Sequence, residues 1–547
     1  MNSNIPFEVS GHIVDVVRKR IIDGIIRVEA GTIISITETN EVEDQYICPG
    51  FIDAHVHIES SMMVPSEFAR IAVRHGSVAS VSDPHEIANV CGVDGINYMI
   101  GNADTVPFKF FFGAPSCVPA TTFETSGSVI DSSGISHLMK RKDIWYLAEM
   151  MNYPGVIYED KEVMKKIEEA HASGKPVDGH APGVSGKDLQ KYVSAGISTD
   201  HECSTLEEGR EKARLGMNIL IREGSAAKDF ESLIDLVKEC PDKLMFCSDD
   251  KHPDDLLVDH INQMAKRAIA KGYDPLTILR ICTYNPVKHY KLPVGLLQPG
   301  NSADFIILDN LTELNVKATY INGQKVAENG KELFSTPSAY ETINRFNTKD
   351  LFPQELAVKA GGSKIKVITI KDGELLTHVT LSRPKIENGN VVADIQEDIL
   401  KIVVYNRYNT ATPQIGFIKN FGLKQGAIAS TIAHDSHNIV AVGCSDEDIA
   451  KAINLLVEQK GGISACSGDE HFVLPLCIAG LIYNGKAEDV AEGYQKANDI
   501  VKKYGSPLTA PYMTLSFMAL LVIPELKLSD KGLFDGNKFE MTSLFDA

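Results

Sequence analysis

The chain has 547 residues, of which 44% are hydrophobic and 23% charged, and its formal net charge is −19 at pH 7. Domains usually contain about 100 to 200 residues, so this length predicts two or three globular domains. The acidic balance, without a cluster of basic residues, argues against nucleic acid and anionic membranes as partners. It favours a small neutral or cationic substrate.

The cysteine pattern and the apolar runs predict a soluble cytoplasmic protein. The ten cysteines are scattered and form no CxxC pair, which is typical of reduced thiols. Met1 to Phe7 lack the basic start and the apolar run of a signal peptide. The longest apolar run, Leu515 to Ile523, is far shorter than the roughly 18 to 20 residues that a membrane span requires.

Two β-rich segments flank a long middle region. Residues 25–36 alternate like two strands around the turn at Glu29 to Gly31, and residues 303–321 show a similar pattern before the turn Asn322-Gly323. We predict that residues 1–48 and 292–345 together form one small β-sandwich domain.

In the middle region, short apolar runs alternate with helical stretches such as Lys161 to Ala172, Leu206 to Leu215 and Asp255 to Lys271. This alternation predicts parallel βα units, and eight of them predict a distorted (β/α)8 TIM-like barrel over residues 49–291. Chemistry in such barrels lies at the C-terminal strand ends. The predicted strands end near His55, Asp83, Gly113, Glu149, His180, His201, Glu223 and Asp249.

The composition changes again after about residue 345. Strand-like runs at Ile365 to Ile370 and Leu400 to Val404 are interspersed with helical stretches and glycine-rich turns. We predict a C-terminal α+β domain over residues 346–547.

The first barrel strand carries the sequence PGFIDAHVH, from Pro49 to His57. Residues two apart in a strand point the same way, so His55 and His57 can bind one metal ion together. The nine residues resemble the signature of the amidohydrolase superfamily, and further candidate ligands follow in the order that this superfamily requires. They are His180, His201 and Asp249. Imidazole and carboxylate ligands suit zinc, iron and manganese equally.

The fourth strand, Ile144 to Glu149, ends in a glutamate and contains no lysine. Many two-metal members of the superfamily bridge their ions with a carboxylated lysine on this strand. A glutamate carboxylate can bridge two cations directly, so we predict that Glu149 is the bridging ligand. The alternative is a solvent-facing glutamate on the loop that follows.

A centre of this kind predicts metal-assisted hydrolysis of a carbon–nitrogen bond. Two cations that share a hydroxide lower its pKa and direct it at an electrophilic carbon. Asp249 can carry the proton from the nucleophile to the leaving nitrogen. The residues alone do not identify the substrate.

Six stretches resemble those of bacterial adenine deaminases, and the resemblance spans essentially the whole chain. They are His55 to Met62, Ser82 to Ile87, Asp178 to Gly183, Cys247 to Lys251, Ala433 to Asn438 and Gly468 to His471. The resemblance implies hydrolysis of free adenine to hypoxanthine and ammonia in purine salvage, by attack of a metal-bridging hydroxide on C6. It implies two divalent ions, manganese first with iron or zinc as alternatives. We also expect a homodimer.

Eight further residues are candidates for contact with the substrate or for support of the metal ligands. They are Asp83, His85, Glu86, Arg222, Glu223, Asp250, His434 and His437. Each has a structural alternative. Asp83 to Glu86 also read as a strand-to-helix turn, Arg222 and Glu223 as a salt bridge across the barrel rim, and residues 434–437 as a surface loop, which we expect for that segment.

Three other functions stay open. One is a cyclic-amide hydrolase of the dihydroorotase or hydantoinase type, against which the missing lysine of the fourth strand argues. Another is a deaminase of a different base. The last is a non-catalytic metal-binding scaffold, which we expect least because all six candidate ligands are present.

Overall fold

A computed structural model describes residues 5–546. Residues 1–4 and 547 lie outside the described part. They belong to the first and last predicted domains, and residues 1–4 also belong to the segment in which we expect no signal peptide. Within residues 5–546, none of the helices combines the length and the apolar character needed to span a bilayer. The domain boundaries stay predictions.

Both flanks of the barrel contribute to one mixed eight-stranded sheet. In sheet order, its strands are Lys331–Glu332, Gln324–Glu328, Val316–Ile321, Phe305–Leu308, Tyr46–Pro49, Phe7–Asp15, Arg20–Glu29 and Thr32–Glu38. The flanks meet where Tyr46–Pro49 pairs antiparallel with Phe305–Leu308. Phe7 stacks on Tyr320 from the other half, with ring centroids 5.7 Å apart. The predicted sandwich is therefore a continuous sheet that curls around its own apolar core.

Two tight turns, one from each flank, lie against each other at the edge of this sheet. Ala30 and Gly31 have φ values of 47° and 78°, and Asn322 and Gly323 have values of 49° and 72°. Successive positive φ values are those of the hairpin turn that matches the twist of the strands. A Cβ atom on Gly31 would lie 2.6 Å from the carbonyl oxygen of Asn322, so glycine also permits this close approach.

Eight parallel strands form the barrel as a five-stranded and a three-stranded sheet. They are Phe51–Val56, Ser77–Ser82, Lys109–Ala114, Ile144–Met150, Val177–Gly179, Thr199–Asp200, Asn218–Arg222 and Leu244–Cys247. The first and eighth strands are joined near their C-terminal ends. The Asp249 amide donates to the His55 carbonyl (2.9 Å), and the His57 amide donates to the Asp249 carbonyl (3.2 Å). The predicted distorted barrel is confirmed, and each predicted strand end lies within two residues of the observed one.

The helices of the barrel region alternate with these strands. They are Pro65–Ala72, His85–Cys91, Val93–Ala103, Ser132–Met139, Tyr153–Ile157, Lys161–Ala172, Gly186–Ser194, Leu206–Arg214, Phe230–Leu233, Pro253–Val258, Ile261–Ala270, Pro275–Cys282 and Tyr284–Tyr290. Lys161–Ala172 illustrates why they form: the Asp160 side chain caps its first turn. Its face with Val163, Ile167 and Ala170 is buried at helical spacing.

The prediction of one helix from Asp255 to Lys271 is wrong. The segment forms two helices, Pro253–Val258 and Ile261–Ala270, separated by Asp259 and His260. Neither separating residue has helical backbone angles. The His260 ring points into the barrel, where its Nε2 lies 2.8 Å from Asp53 Oδ2, and this buried contact outweighs local helix propensity.

The C-terminal region contains a second eight-stranded sheet. In sheet order, its strands are His378–Ser382, Ile365–Thr369, Gln414–Lys419, Ile399–Tyr405, Ile439–Gly443, Ala427–Ser430, Gly462–Ser467 and Glu470–Pro475. Its helices are Asp446–Gln459, Ala487–Lys503 and Pro511–Ser516. Two small sheets consist of Val358–Lys359, Asn390–Val392 and Lys385–Glu387, and of Leu526–Ser529, Gly532–Asp535 and Glu540–Met541. The predicted α+β character is confirmed.

A glycine at the start of the first barrel strand provides a test of this packing. A Cβ atom on Gly50 would overlap the buried side chain of Val78. We therefore expect Gly50→Ala to destabilise the fold by about 1–3 kcal/mol, measured as a lower melting temperature. Gly101→Ala is the matched control, since its added Cβ meets nothing within 4 Å. Equal melting temperatures for both variants would contradict the packing described.

Candidate metal centre

Three of the predicted ligands converge where the first and eighth strands meet. His55 Nε2 and His57 Nε2 lie 3.2 Å apart. Asp249 Oδ1 lies 3.4 Å from the first of these nitrogens and 3.2 Å from the second. All three side chains are buried. Asp249 has a φ of 53°, and this left-handed backbone turns its carboxylate back toward the two histidines.

The other three predicted ligands lie beside this group. Glu149 Oε2 lies 2.8 Å from His180 Nδ1 and 3.0 Å from His201 Nε2. Glu149 Oε1 lies 3.3 Å from His57 Nε2. One carboxylate oxygen thus faces each half of the cluster. The position of Glu149 between the halves is the one that a bridging ligand requires, whereas the solvent-facing alternative is excluded because the residue is buried.

The donor atoms fit a divalent metal cofactor. Nitrogen ligands about 2.0–2.1 Å from one ion lie about 3.0–3.4 Å from each other, and the separations at His55, His57 and Asp249 fall in this range. Of the buried carboxylates of Glu149, Glu202 and Asp249, the last two pair with the guanidinium of Arg222, whereas Glu149 contacts histidine rings. Buried charges in excess of their partners are characteristic of metal sites.

Two residues near the centre were missed by the sequence analysis. Glu202 Oε1 lies 3.7 Å from His180 Nδ1 and 3.6 Å from His201 Nε2, and it could supply a further ligand atom. Asp53 accepts from the Ser248 amide at 3.0 Å and joins the first strand to the eighth. Asp53 had a sequence signal, since it stands two positions before His55 on the same strand. Glu202 had none, because the strand ends at Asp200 and the loop direction decides where it points.

Arg222 and Glu223 lie in different places, although they are neighbours in sequence. Arg222 Nη1 lies 2.9 Å from Asp249 Oδ2, and the same side chain pairs with Glu202. Arg222 therefore supports a candidate metal ligand. Glu223 points away from the centre and pairs with Arg267 at 2.5 Å, as the rim salt-bridge alternative predicts.

The electrostatic environment separates the two neighbouring aspartates. Burial alone would raise the pKa of Asp249, but hydrogen bonds from His55 and His57 and the charge of Arg222 hold that pKa well below its ordinary value. Burial and the charge of Asp249 raise the pKa of Asp250 to about 6. Asp249 is therefore a carboxylate at neutral pH, whereas the pKa of Asp250 lies nearer to neutral pH than that of an ordinary aspartate.

Asp83 and His85, at the end of the second strand, also reach the centre. His85 Nδ1 lies 3.2 Å from Asp83 Oδ2 and 3.4 Å from Glu149 Oε1. The strand-to-helix turn exists as well, since the helix His85–Cys91 begins here. The turn aims both side chains at the bridging position.

The interpretation of residues 434–437 as a surface loop is wrong. His434, Asp435, Ser436 and His437 are all at most 4% exposed. The segment docks on the barrel mouth, where His434 Nδ1 lies 3.2 Å from Glu86 Oε1. His437 packs behind His434, with ring centroids 5.7 Å apart.

A second polar group joins the barrel to the C-terminal region. It contains Glu86, Asp250 and His434, whose ligand atoms lie within 4.8 Å of one another. The Ser60 hydroxyl lies 2.6 Å from Asp250 Oδ1 and 3.1 Å from Glu86 Oε1. We call these four residues the acidic clamp.

The cavity above the candidate ligands has one polar and one apolar side. The polar side consists of the ligand cluster and the acidic clamp. The apolar side is formed by Met151, Leu375, Phe517, Leu520 and Ile523, of which all but Met151 come from the C-terminal region. Such a lining offers apolar contacts to the faces of a flat ring and polar contacts to its edge.

Neutralising Glu149 tests its place in the centre. We expect Glu149→Gln to bind less than half of the metal that the native chain binds, because the amide cannot supply a negative oxygen to both halves. Metal content is measured by mass spectrometry after gel filtration, with circular dichroism as the check on folding. Glu223→Gln, which changes a glutamate that points away, should keep the native content. Native metal content in folded Glu149→Gln would exclude a bridging role.

Comparisons with known proteins give the same family for both parts of the chain. The model for the amidohydrolase family matches residues 46–326, and the model for the adenine deaminase C-terminal domain matches residues 374–540. The chain is 53% identical to the adenine deaminase of Methanosarcina mazei, over 98% of this chain and 99% of that protein. It is 49% identical to the adenine deaminase of Parabacteroides distasonis, over 100% of both chains.

Proposed function

Since the chain belongs to the adenine deaminases of the amidohydrolase family, we propose that it hydrolyses adenine to hypoxanthine and ammonia. The cofactor of this enzyme is a divalent metal. The observation that carries the proposal is the position of Glu149 between two groups of histidines, directly below a cavity with apolar walls. This arrangement combines a hydrolytic centre with a site for a flat ring.

Asp249 is the proposed proton carrier. Divalent ions held by His55, His57, Glu149, His180, His201 and Asp249 would supply a nucleophile at neutral pH by lowering the pKa of water. Asp249 Oδ2 is held by Arg222 at 2.9 Å, while Oδ1 faces the histidine pair. This carboxylate can take a proton from the attacking water and deliver it to the departing amine, which leaves as ammonia.

The acidic clamp is the proposed contact for the polar edge of the base. Adenine offers both N–H donors and ring-nitrogen acceptors. Glu86 accepts hydrogen bonds, and Asp250, with its pKa raised to about 6, can accept when ionised and donate when protonated. His434 holds Glu86 in place from the C-terminal region. The apolar side would cover the ring and exclude water.

Three finer assignments are also proposed. Manganese suits the nitrogen and oxygen donors of the candidate ligands, with iron or zinc as the alternatives. A homodimer and a cytoplasmic location stay predictions. Metal replacement, sedimentation velocity and cell fractionation test these assignments in turn.

The proposed function predicts the reaction itself. The chain, purified from manganese-supplemented cells, should convert adenine to hypoxanthine and ammonia, and a chelator should abolish the conversion because the cluster then loses its cations. Adenosine, guanine and dihydroorotate are the parallel substrates. Faster turnover of guanine or dihydroorotate would favour a deaminase of another base or a cyclic-amide hydrolase. No turnover at all with metal bound would favour the scaffold.

A separate prediction concerns Asp249. Asp249→Asn should reduce kcat by about 10²–10⁴-fold, because the amide cannot carry the proton. Its melting temperature should stay near the native value, since asparagine keeps the size and tolerates a φ of 53°. Asp254→Asn, at the start of the helix Pro253–Val258, is the control and should keep native turnover. Near-native kcat in Asp249→Asn would remove Asp249 from the mechanism.

A further inference from the structure

A buried lysine lies behind the apolar side of the cavity. Lys527, on the strand Leu526–Ser529, is 0% exposed. Its Nζ donates to the carbonyl oxygens of Leu375 at 3.0 Å and Phe517 at 3.1 Å. Among the described residues, no carboxylate lies within the 4 Å of Nζ that an ion pair requires.

This position is costly for an ammonium group. Nζ has three protons, and two carbonyl oxygens accept from it. Burial lowers the pKa of Lys527 to about 7. A methionine of similar length would fill the same space without this cost. The hydrogen bonds to the two carbonyls are therefore what lysine adds here.

Both carbonyls belong to residues whose side chains line the cavity. Leu375 and Phe517 contribute to its apolar side from segments that are distant in the chain. The Phe517 ring also stacks on His434, with centroids 4.8 Å apart and planes inclined by 14°. His434 in turn contacts Glu86 of the acidic clamp. Lys527 is thus connected to both sides of the cavity without touching it.

A second set of hydrogen bonds holds the Leu375 segment to the strand Leu526–Ser529. The Thr377 hydroxyl donates to the carbonyl oxygen of Leu526 at 2.9 Å, and the Thr377 amide donates to the Pro524 carbonyl at 3.1 Å. These bonds hold the Leu375 loop to the strand that carries Lys527. Phe517 is held to this strand through the lysine itself. Loss of the ammonium would therefore remove the one donor shared by the two carbonyls and leave the Leu375 loop held to this strand by Thr377.

We propose that Lys527 is a positioning residue that fixes the separation of the Leu375 and Phe517 walls. It thereby sets the affinity for a flat, unsubstituted heteroaromatic base. The six candidate metal ligands belong to the barrel, and the Nζ of Lys527 bonds to the Leu375 and Phe517 carbonyls and to none of these ligands. The inference rests on the proposed function, since it takes adenine as the molecule between the walls.

The test separates binding from chemistry. In Lys527→Met, we expect KM for adenine to rise about tenfold while kcat stays within about threefold of the native value, because uniform binding is lost and the reacting groups are unchanged. Lys401→Met is the matched control. Lys401 is also buried in the C-terminal region, but its Nζ contacts the Leu356 carbonyl at 2.8 Å and Asp446 at 2.5 Å, away from the cavity.

The outcomes are distinct. Turnover of adenine by the native chain is measured first and tests the proposed function alone. A KM in Lys527→Met within twofold of native, a loss confined to kcat, or an equal rise of KM in Lys401→Met would overturn the inference. If Lys527→Met does not fold, Lys527→Arg replaces it. The larger guanidinium should push the carbonyls apart and raise KM, and a native KM in that folded variant would overturn the inference.

Discussion

The contact between the first and eighth barrel strands is the constraint on which the candidate metal centre depends. Amide and carbonyl groups of His55, His57 and Asp249 pair across the seam where the barrel closes. Asp53 binds the Ser248 amide just below this seam. The same hydrogen bonds that close the barrel therefore bring a histidine pair and a carboxylate to one point. Residues about 190 positions apart in the chain become neighbours as the fold forms.

The C-terminal region has a different part in the site. The barrel supplies all six predicted metal ligands, whereas the other region supplies four of the five apolar residues on the cavity wall and the His434 of the acidic clamp. Electrostatic interactions between charged groups are stronger in a site from which water is excluded. The barrel thus supplies the reactive groups, and the C-terminal region encloses them. Within the barrel, the positive charge of Arg222 partly compensates the negative charges of Glu202 and Asp249.

The sequence predicts the parts of this arrangement that follow from local periodicity. Alternation of strands and helices identifies the barrel. The residues at its strand ends are correctly identified as neighbours, and they are His55, His57, Glu149, His180, His201 and Asp249. What it misses depends on contacts between distant segments. The loop with His434 has the composition of a surface turn, and only docking on the barrel buries it.

Two other features, the helix break at His260 and the position of Glu202, also depend on parts of the fold that local periodicity does not predict. The helix break at His260 is caused by Asp53, which lies more than 200 residues earlier in the chain. Glu202 enters the centre because a loop turns after the sixth strand, and side-chain periodicity does not extend into loops. Lys527 likewise has no local signal, since a lysine in a short strand is usually exposed.

The curled sheet has a consequence for synthesis on the ribosome. Tyr46–Pro49 pairs with Phe305–Leu308, so the early strand has no antiparallel partner on that side until the whole barrel has been translated. Unpaired strand edges are open to wrong pairing, and pairings of long sequence separation form slowly. The nascent chain must therefore keep its first hairpins from associating with other chains while the barrel between the two flanks emerges.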